Sequence, residues 1–199
     1  MPEIKLFNKY TTQGITVKDP GLREYIGLKP VFVPHSFGRH GCKRFQKSKV
    51  NIVERLANKL YSPGHKGKKH WRTSEFCTGK SNTTMKIVQD TLTIIEAQTK
   101  KNPVEILVKA VENASPREEV TTVEMAGVRV PKQVETAPQR RIDLALRWIV
   151  QGTFQSTLGK KIRIEEGLAS EIIAASNEET KSFAISKKSE TERQAEASK

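Results

Sequence analysis

A mainly α-helical chain with one β-hairpin and an extended, basic N-terminal region is the fold class this sequence predicts. Three observations carry that prediction. Apolar residues recur at helical spacing in several separate stretches after Val50. The period changes once, from 3.6 to 2, over residues 119–136. Residues 1–48 show little periodicity of either kind and many turn signals, among them Asp19-Pro20-Gly21 and Arg39-His40-Gly41.

The first helix begins near Val50. Ile52, Val53, Leu56, Ala57 and Leu60 share one face, with Glu54, Arg55, Asn58 and Lys59 on the other, and Tyr61-Ser62-Pro63-Gly64 ends it. Residues 61–80 are polar and cationic and read as a loop. A second helix spans about Ser81 to Lys100 on a stripe of Ile87, Val88, Leu92 and Ile95. Asn102-Pro103-Val104-Glu105 opens the third: Asn is the N-cap, Pro fits the first helical position, and Glu105 is placed to close a capping box. Ser115-Pro116 stops it. The β-branched run Val120-Thr121-Thr122-Val123 and the segment Val128-Arg129-Val130 flank Ala126-Gly127 as a hairpin, and Pro131 restricts its second strand to an edge or a bulge. A lone ribbon is marginal in water, so it must pack on the helices or be held from outside.

A fourth helix starts at Thr136-Ala137-Pro138, with Ile142, Ala145, Leu146 and Ile149 inward, Arg140, Arg141, Asp143 and Arg147 outward or sideways, and Gly152 as its end. A short helix is expected over Thr153 to Leu158. Another runs over about Ile164 to Ser176, where the glutamates of 165–179 read as a solvated face. The tail from Lys181 reads as a polar helix or as chain disordered when alone. The expected organisation is an extended basic region over 1–48, a helical body over 49–185 that includes the hairpin, and a polar C-terminal helix or tail over 186–199.

Charge distribution carries the functional reading. The net charge is +13, yet residues 1–80 hold 17 Lys/Arg against 5 Asp/Glu, whereas residues 81–199 hold 18 against 17. From Lys29 to Arg72 there are 12 cations and one acid, Glu54. Like charges repel, so such segregation makes sense where a polyanion lies against this part of the chain. Membrane binding would want an amphipathic helix with a bulky apolar face, and no apolar run is long enough to cross a bilayer. The segment is instead broken by Pro30, Pro34, Gly38, Gly41, Pro63, Gly64 and Gly67, with His, Phe and Trp interleaved, which suits phosphates, bases and sugars. The N-terminus lacks the apolar stretch of a signal peptide, and two separated cysteines, Cys42 and Cys77, fit a cytosolic, reducing compartment.

Competing chemistries fit less well. His35, His40, Cys42, His65, His70 and Cys77 lack the spacing of a zinc site. Gly79-Lys80-Ser81 has Ser74 where a phosphate-binding loop needs glycine, leaving Lys80 as a phosphate contact at most. Trp71 and Phe76 either stack on bases or pin the loop to the helices, and Trp148 reads as core edge. Arg140 and Arg141 either meet RNA or pair with neighbouring acids. No catalytic constellation is visible, so neither an enzyme nor a metal or cofactor is expected. A DNA-binding protein would want a recognition helix or a dimer seam, and neither is visible.

Several segments, in order, resemble the universal small-subunit ribosomal protein seven family, called number five in eukaryotes. Carrying the resemblance are Pro34-His35-Ser36-Phe37-Gly38-Arg39-His40, Asn51-Ile52-Val53-Glu54-Arg55-Leu56, Asn102-Pro103-Val104-Glu105-Ile106-Leu107-Val108, Ala114-Ser115-Pro116-Arg117-Glu118-Glu119, Pro138-Gln139-Arg140-Arg141-Ile142-Asp143-Leu144-Ala145-Leu146-Arg147 and Lys181-Ser182-Phe183-Ala184-Ile185-Ser186-Lys187-Lys188. The first of these and the long segment after the first helix are similar to archaeal or eukaryotic rather than bacterial members, archaeal above all. The resemblance implies a bundle of about six helices with a protruding β-hairpin arm. It implies a structural protein of the small ribosomal subunit that binds the three-prime domain of the ribosomal RNA (rRNA) and helps assemble the head. It also implies that exit-site tRNA, the mRNA path and neighbouring head and platform proteins lie nearby. RNA contacts are expected at Arg39, His40, Lys43, Arg44, Lys47, Lys49, Lys59, Lys66, Lys68, Lys69, Arg72, Lys80, Arg129, Lys132, Arg140 and Arg141. The chain departs from the family pattern in its hairpin, which has Ala126-Gly127 and only Arg129 and Lys132, and in Gly79-Lys80-Ser81, where relatives often have consecutive cations.

Overall fold

The computed structural model describes residues 4–66, 71–125 and 127–199. Six helices order the described residues: α1 (Ile52–Leu60), α2 (Ser81–Thr99), α3 (Pro103–Ala114), α4 (Pro138–Thr157), α5 (Ile164–Ser176) and α6 (Phe183–Glu196). Between α1 and α2 lie two short antiparallel strands, β1 (Gly64–Lys66) and β2 (Trp71–Thr73). Between α3 and α4 lies the hairpin of β3 (Glu118–Met125) and β4 (Val128–Glu135). Two 3-10 turns, Arg39–Gly41 and Gln46–Lys49, precede α1.

Local chemistry sets several boundaries. Asn51 and Asn102 cap α1 and α3, accepting from the Val53 and Val104 amides at 2.9 and 3.1 Å, and Pro103 occupies the first turn of α3. The core gathers the apolar stripes of α1 to α5, including Ile52, Leu56, Leu92, Leu107, Ile142, Leu146, Leu168 and Ile172. The N-terminal region is irregular, as its turn signals predict, and it docks against the helices. Leu6, Tyr10, Val17, Leu22 and Ile26 join the core. Each such fully buried leucine contributes roughly 1.5–3 kcal/mol, enough to hold irregular backbone against the helices.

That docking changes the environment of α1. Gly27 O accepts from the Ile52 amide at 3.0 Å, and Asn51 Nδ2 donates to Lys29 O at 3.1 Å. The helix is therefore covered on its polar side as well, and Glu54 and Arg55 are 5% and 2% exposed. Residues 61–80 also differ from a plain loop. Gly64 takes φ +91, and a Cβ there would lie 2.2 Å from Arg72 O, so the absence of a side chain is what lets β1 close on β2.

Gly152 does not end the fourth helix: α4 continues to Thr157, so the separate helix expected over 153–158 is its last turns. The reason is packing. A Cβ at Gly152 would lie 2.7 Å from Phe183 Cβ and 2.9 Å from Glu171 Cδ, so this glycine lets α5 and the start of α6 approach. Glu171 is accordingly not on a solvated face. Its Oε1 is buried and accepts from Ser182 Oγ at 2.7 Å and the Ala184 amide at 3.0 Å, fastening α6 at its N-terminus. Burial raises the Glu171 pKa against the lowering effect of those donors.

The polar tail is helical over Phe183–Glu196 and supports the hairpin. Helix α6 packs on β3, Gln133 N–H donates to Ser198 O at 3.3 Å, and Arg117 N–H donates to Glu192 Oε1 at 3.0 Å. The ribbon is in continuous register, with Thr122 opposite Pro131 and no bulge, and its far end leaves Val128 and Val130 exposed.

Candidate nucleic-acid interface

A dense group of cations lies on and between the two 3-10 turns, which pack against each other just ahead of α1. Arg39, Lys43, Arg44 and Lys49 are exposed there. Ser36 anchors this unit by donating from its amide, at 2.8 Å, and from its hydroxyl to Glu54 Oε1. His40 Nδ1 lies 3.1 Å from the same hydroxyl. Glu54, the single acid between Lys29 and Arg72, is thus turned inward as a structural acceptor, and the solvent side of the unit stays positive.

A second group surrounds Asp143 of α4. Lys47 Nζ approaches Asp143 Oδ2 at 2.6 Å, and Arg55 and Lys59 approach Oδ1 at 3.3 and 3.8 Å. Arg55 also donates to Tyr25 O at 3.0 Å, while its buried Nε has no partner. Burial alone would raise the Asp143 carboxyl, but the Lys47 hydrogen bond and the three positive charges outweigh it and hold the pKa below the ordinary carboxylate value. Burial lowers the Lys59 ammonium, with Asp143 opposing and Lys47, Arg147 and Arg55 adding to the lowering. Three cations thus meet one carboxylate, so the cluster keeps net positive charge. Asp143, expected outward or sideways, lies sideways in this pairing, while Arg55, on the polar side of α1, is buried by it.

Next to the cluster, α1, β1 and α4 enclose a cavity of about 510 Å³ lined in part by Lys59, His65, Arg147, Asn58 and Gln151. Arg147 is exposed, makes no ion pair among the described residues, and was not among the expected contacts. It lies one turn after Asp143 on the same helix, a spacing that in sequence does not separate it from an ordinary solvated arginine. Arg72 is exposed on β2 opposite His65. Lys66 closes β1 through its backbone; Lys68 and Lys69, with His70, lie outside the described residues.

The remaining expected contacts divide. Lys80 is exposed, with its Nζ 4.3 Å from the ring centre of the exposed Phe76. Arg129 stands exposed on the hairpin 4.0 Å from Glu124, and Lys132 is exposed opposite Thr121. Arg140 forks onto Glu119 at 2.6–2.9 Å, a pairing that raises its pKa. Arg141 is withdrawn: it is 9% exposed, its Nη2 donates to Asp19 at 2.7 Å and its Nε to Pro116 O at 3.1 Å. It ties the N-terminal region and the α3–β3 turn to α4 and is no surface contact. Cys42 is exposed and Cys77 buried, and no cluster of three potential metal ligands exists among the described residues. Among the described residues, no helix is long and apolar enough to cross a membrane.

Sequence relationships agree with this architecture. Residues 22–199 match the family described as ribosomal protein S7p/S5e, and the chain belongs to that family. It is 52% identical over 197 residues to small ribosomal subunit protein uS7 of Nanoarchaeum equitans, covering 99% of this chain and 100% of that one. The uS7 proteins of Methanococcus maripaludis and Archaeoglobus fulgidus are 46% and 44% identical over 198 and 197 residues, each covering 99% of this chain and 100% and 96% of their own. These relatives bear out the archaeal type. Membership in a ribosomal-protein family also bears out that the chain is not an enzyme.

Proposed function

We propose that this protein is a structural component of the small ribosomal subunit, resident in the cytoplasm within the ribosome. It binds the three-prime domain of the rRNA and helps assemble the head, with exit-site tRNA, the mRNA path and head and platform proteins as neighbours. One observation carries the RNA-binding part of this reading. The acid embedded in the cationic stretch is buried on Ser36, so Arg39, Lys43, Arg44 and Lys49 face solvent with no carboxylate among them. A protein optimised only for solubility would intersperse both signs. Against crowded phosphates the same arrangement releases counterions and lets RNA segments approach one another.

The contacts we assign to RNA are those four residues with His40, Lys47, Lys59, Lys66, Lys68, Lys69, Arg72, Lys80, Arg129, Lys132 and Arg140; Arg141 acts inside the protein. The test is the combined Arg39→Glu, Lys43→Glu, Arg44→Glu, Lys49→Glu variant, assayed by co-sedimentation with small subunits. The four side chains are exposed, so the variant keeps its circular dichroism and melting temperature. Its affinity for three-prime domain RNA falls by roughly a hundredfold or more. Undiminished incorporation would refute the proposal.

A further inference from the structure

Two exposed phenylalanines on the 3-10 unit are explained neither by the core nor by phosphate binding. Phe37 and Phe45 are 76% and 67% exposed. Both have left-handed backbone, φ 52 and 60, a region that bulky L residues rarely occupy and that recurs where function requires it. Phe45 is the residue from which the second turn starts, and Phe37 stands two residues before the first. The turns pack on each other and are pinned to α1 by the Ser36–Glu54 bonds, so both rings belong to one braced unit. Each ring already has a partner on one side. The His35 imidazole stacks on Phe37 at 4.3 Å between centroids and 12° between planes, and the Arg44 guanidinium lies 5.5 Å from the centre of Phe45.

We propose that Phe37, backed by His35, and Phe45, backed by Arg44, are stacking platforms for unpaired bases of an RNA strand whose phosphates run along Arg39, Lys43 and Lys49. This rests on the RNA-binding reading and adds a second chemistry to it. The face grips the π surfaces of bases as well as phosphate charge, in a manner tolerant of sequence. The unrelieved cationic surroundings favour a nucleic acid strand over an apolar protein surface.

The test uses the full chain, a single-stranded RNA of roughly twelve nucleotides, and an abasic strand of equal length. The parent binds the base-bearing strand more tightly than the abasic one. Phe37→Asn with Phe45→Asn weakens binding of the base-bearing strand by about tenfold per ring and leaves the abasic strand and the salt slope unchanged. The melting temperature does not fall, because Asn tolerates left-handed backbone. Phe45→Trp keeps the affinity, and its added indole emission changes on binding relative to the parent.

Equal binding of the base-bearing strand by parent and double variant overturns the platforms and leaves the rings to a protein neighbour. Binding lost together with the melting temperature and with abasic affinity overturns them too, by making the rings structural. A parent that binds neither strand removes the RNA-binding reading and the platforms together.

Discussion

Arg55 and Asp143 illustrate how single side chains are committed. Arg55 stands among the apolar residues of α1, loses hydration on burial, and regains part of it from Tyr25 O and Asp143. Breaking a buried pair from one side leaves an uncompensated charge. Asp143→Asn should therefore destabilise the protein by about 3 kcal/mol at neutral pH, measured by urea unfolding. The sign with pH follows from the lowered pKa. The carboxylate's contribution is present above its ordinary value of 3.8 and is lost as pH falls through the lower folded value. The Asn variant lacks that part of the acid loss, while Asp19, whose pKa is also net lowered by Arg141 despite burial, retains its own. A variant as stable as the parent at neutral pH would show that the three cations need no carboxylate.

At the scale of elements, the junction of α4, α5 and α6 depends on one acid and one glycine. Glu171 accepts from Ser182 and Ala184 where Gly152 leaves room for its carboxyl. Glu171→Ala strands those donors and should cost about 1–3 kcal/mol. Glu171→Gln keeps an acceptor without a buried charge and should match or exceed the parent at neutral pH. Because the folded pKa is raised above 4.5, the parent gains stability as pH falls through the folded value, fully so below 4.5, and loses it as pH rises. The Gln variant should not show that gain. Thermal melts across this range check both statements, and a Gln variant as weak as the Ala variant would contradict them. Since α6 supports β3, the Ala variant should also speed amide exchange in the hairpin.

For the whole molecule, what was legible in the sequence follows the reach of the interactions. The cap at Asn102, the stripes of α2 and α3 and the period change of the hairpin are local patterns, and they appear where the residues predict them. Gly152 was misread because a glycine that stops a helix and one that admits a neighbour look alike until the neighbour, Phe183, is in place. Periodicity places Glu54 and Arg55 opposite the apolar face of α1, Arg141 outward or sideways and Glu171 on a solvated face, because it sees no partner distant in sequence. The partners of Arg55 and Arg141, Asp143 and Asp19, are separated from them by 88 and 122 residues. The exposed cations of the 3-10 unit were legible through charge counting alone, since nothing in the fold hides them. Arg147 was not, because a lone arginine on a helix has no signature until β1 closes a cavity beside it.

The central claim is that the cationic face exists to displace counterions from folded ribosomal RNA, and salt dependence tests it most directly. Binding of the purified chain to the three-prime domain RNA should weaken with salt so that log affinity falls against log salt with a slope near about −6, for roughly eight phosphates engaged on single-stranded or irregular segments. The Arg39, Lys43, Arg44, Lys49 charge-reversal variant should show a distinctly shallower slope. Affinity that does not change with salt, or a slope the variant leaves intact, would contradict the account.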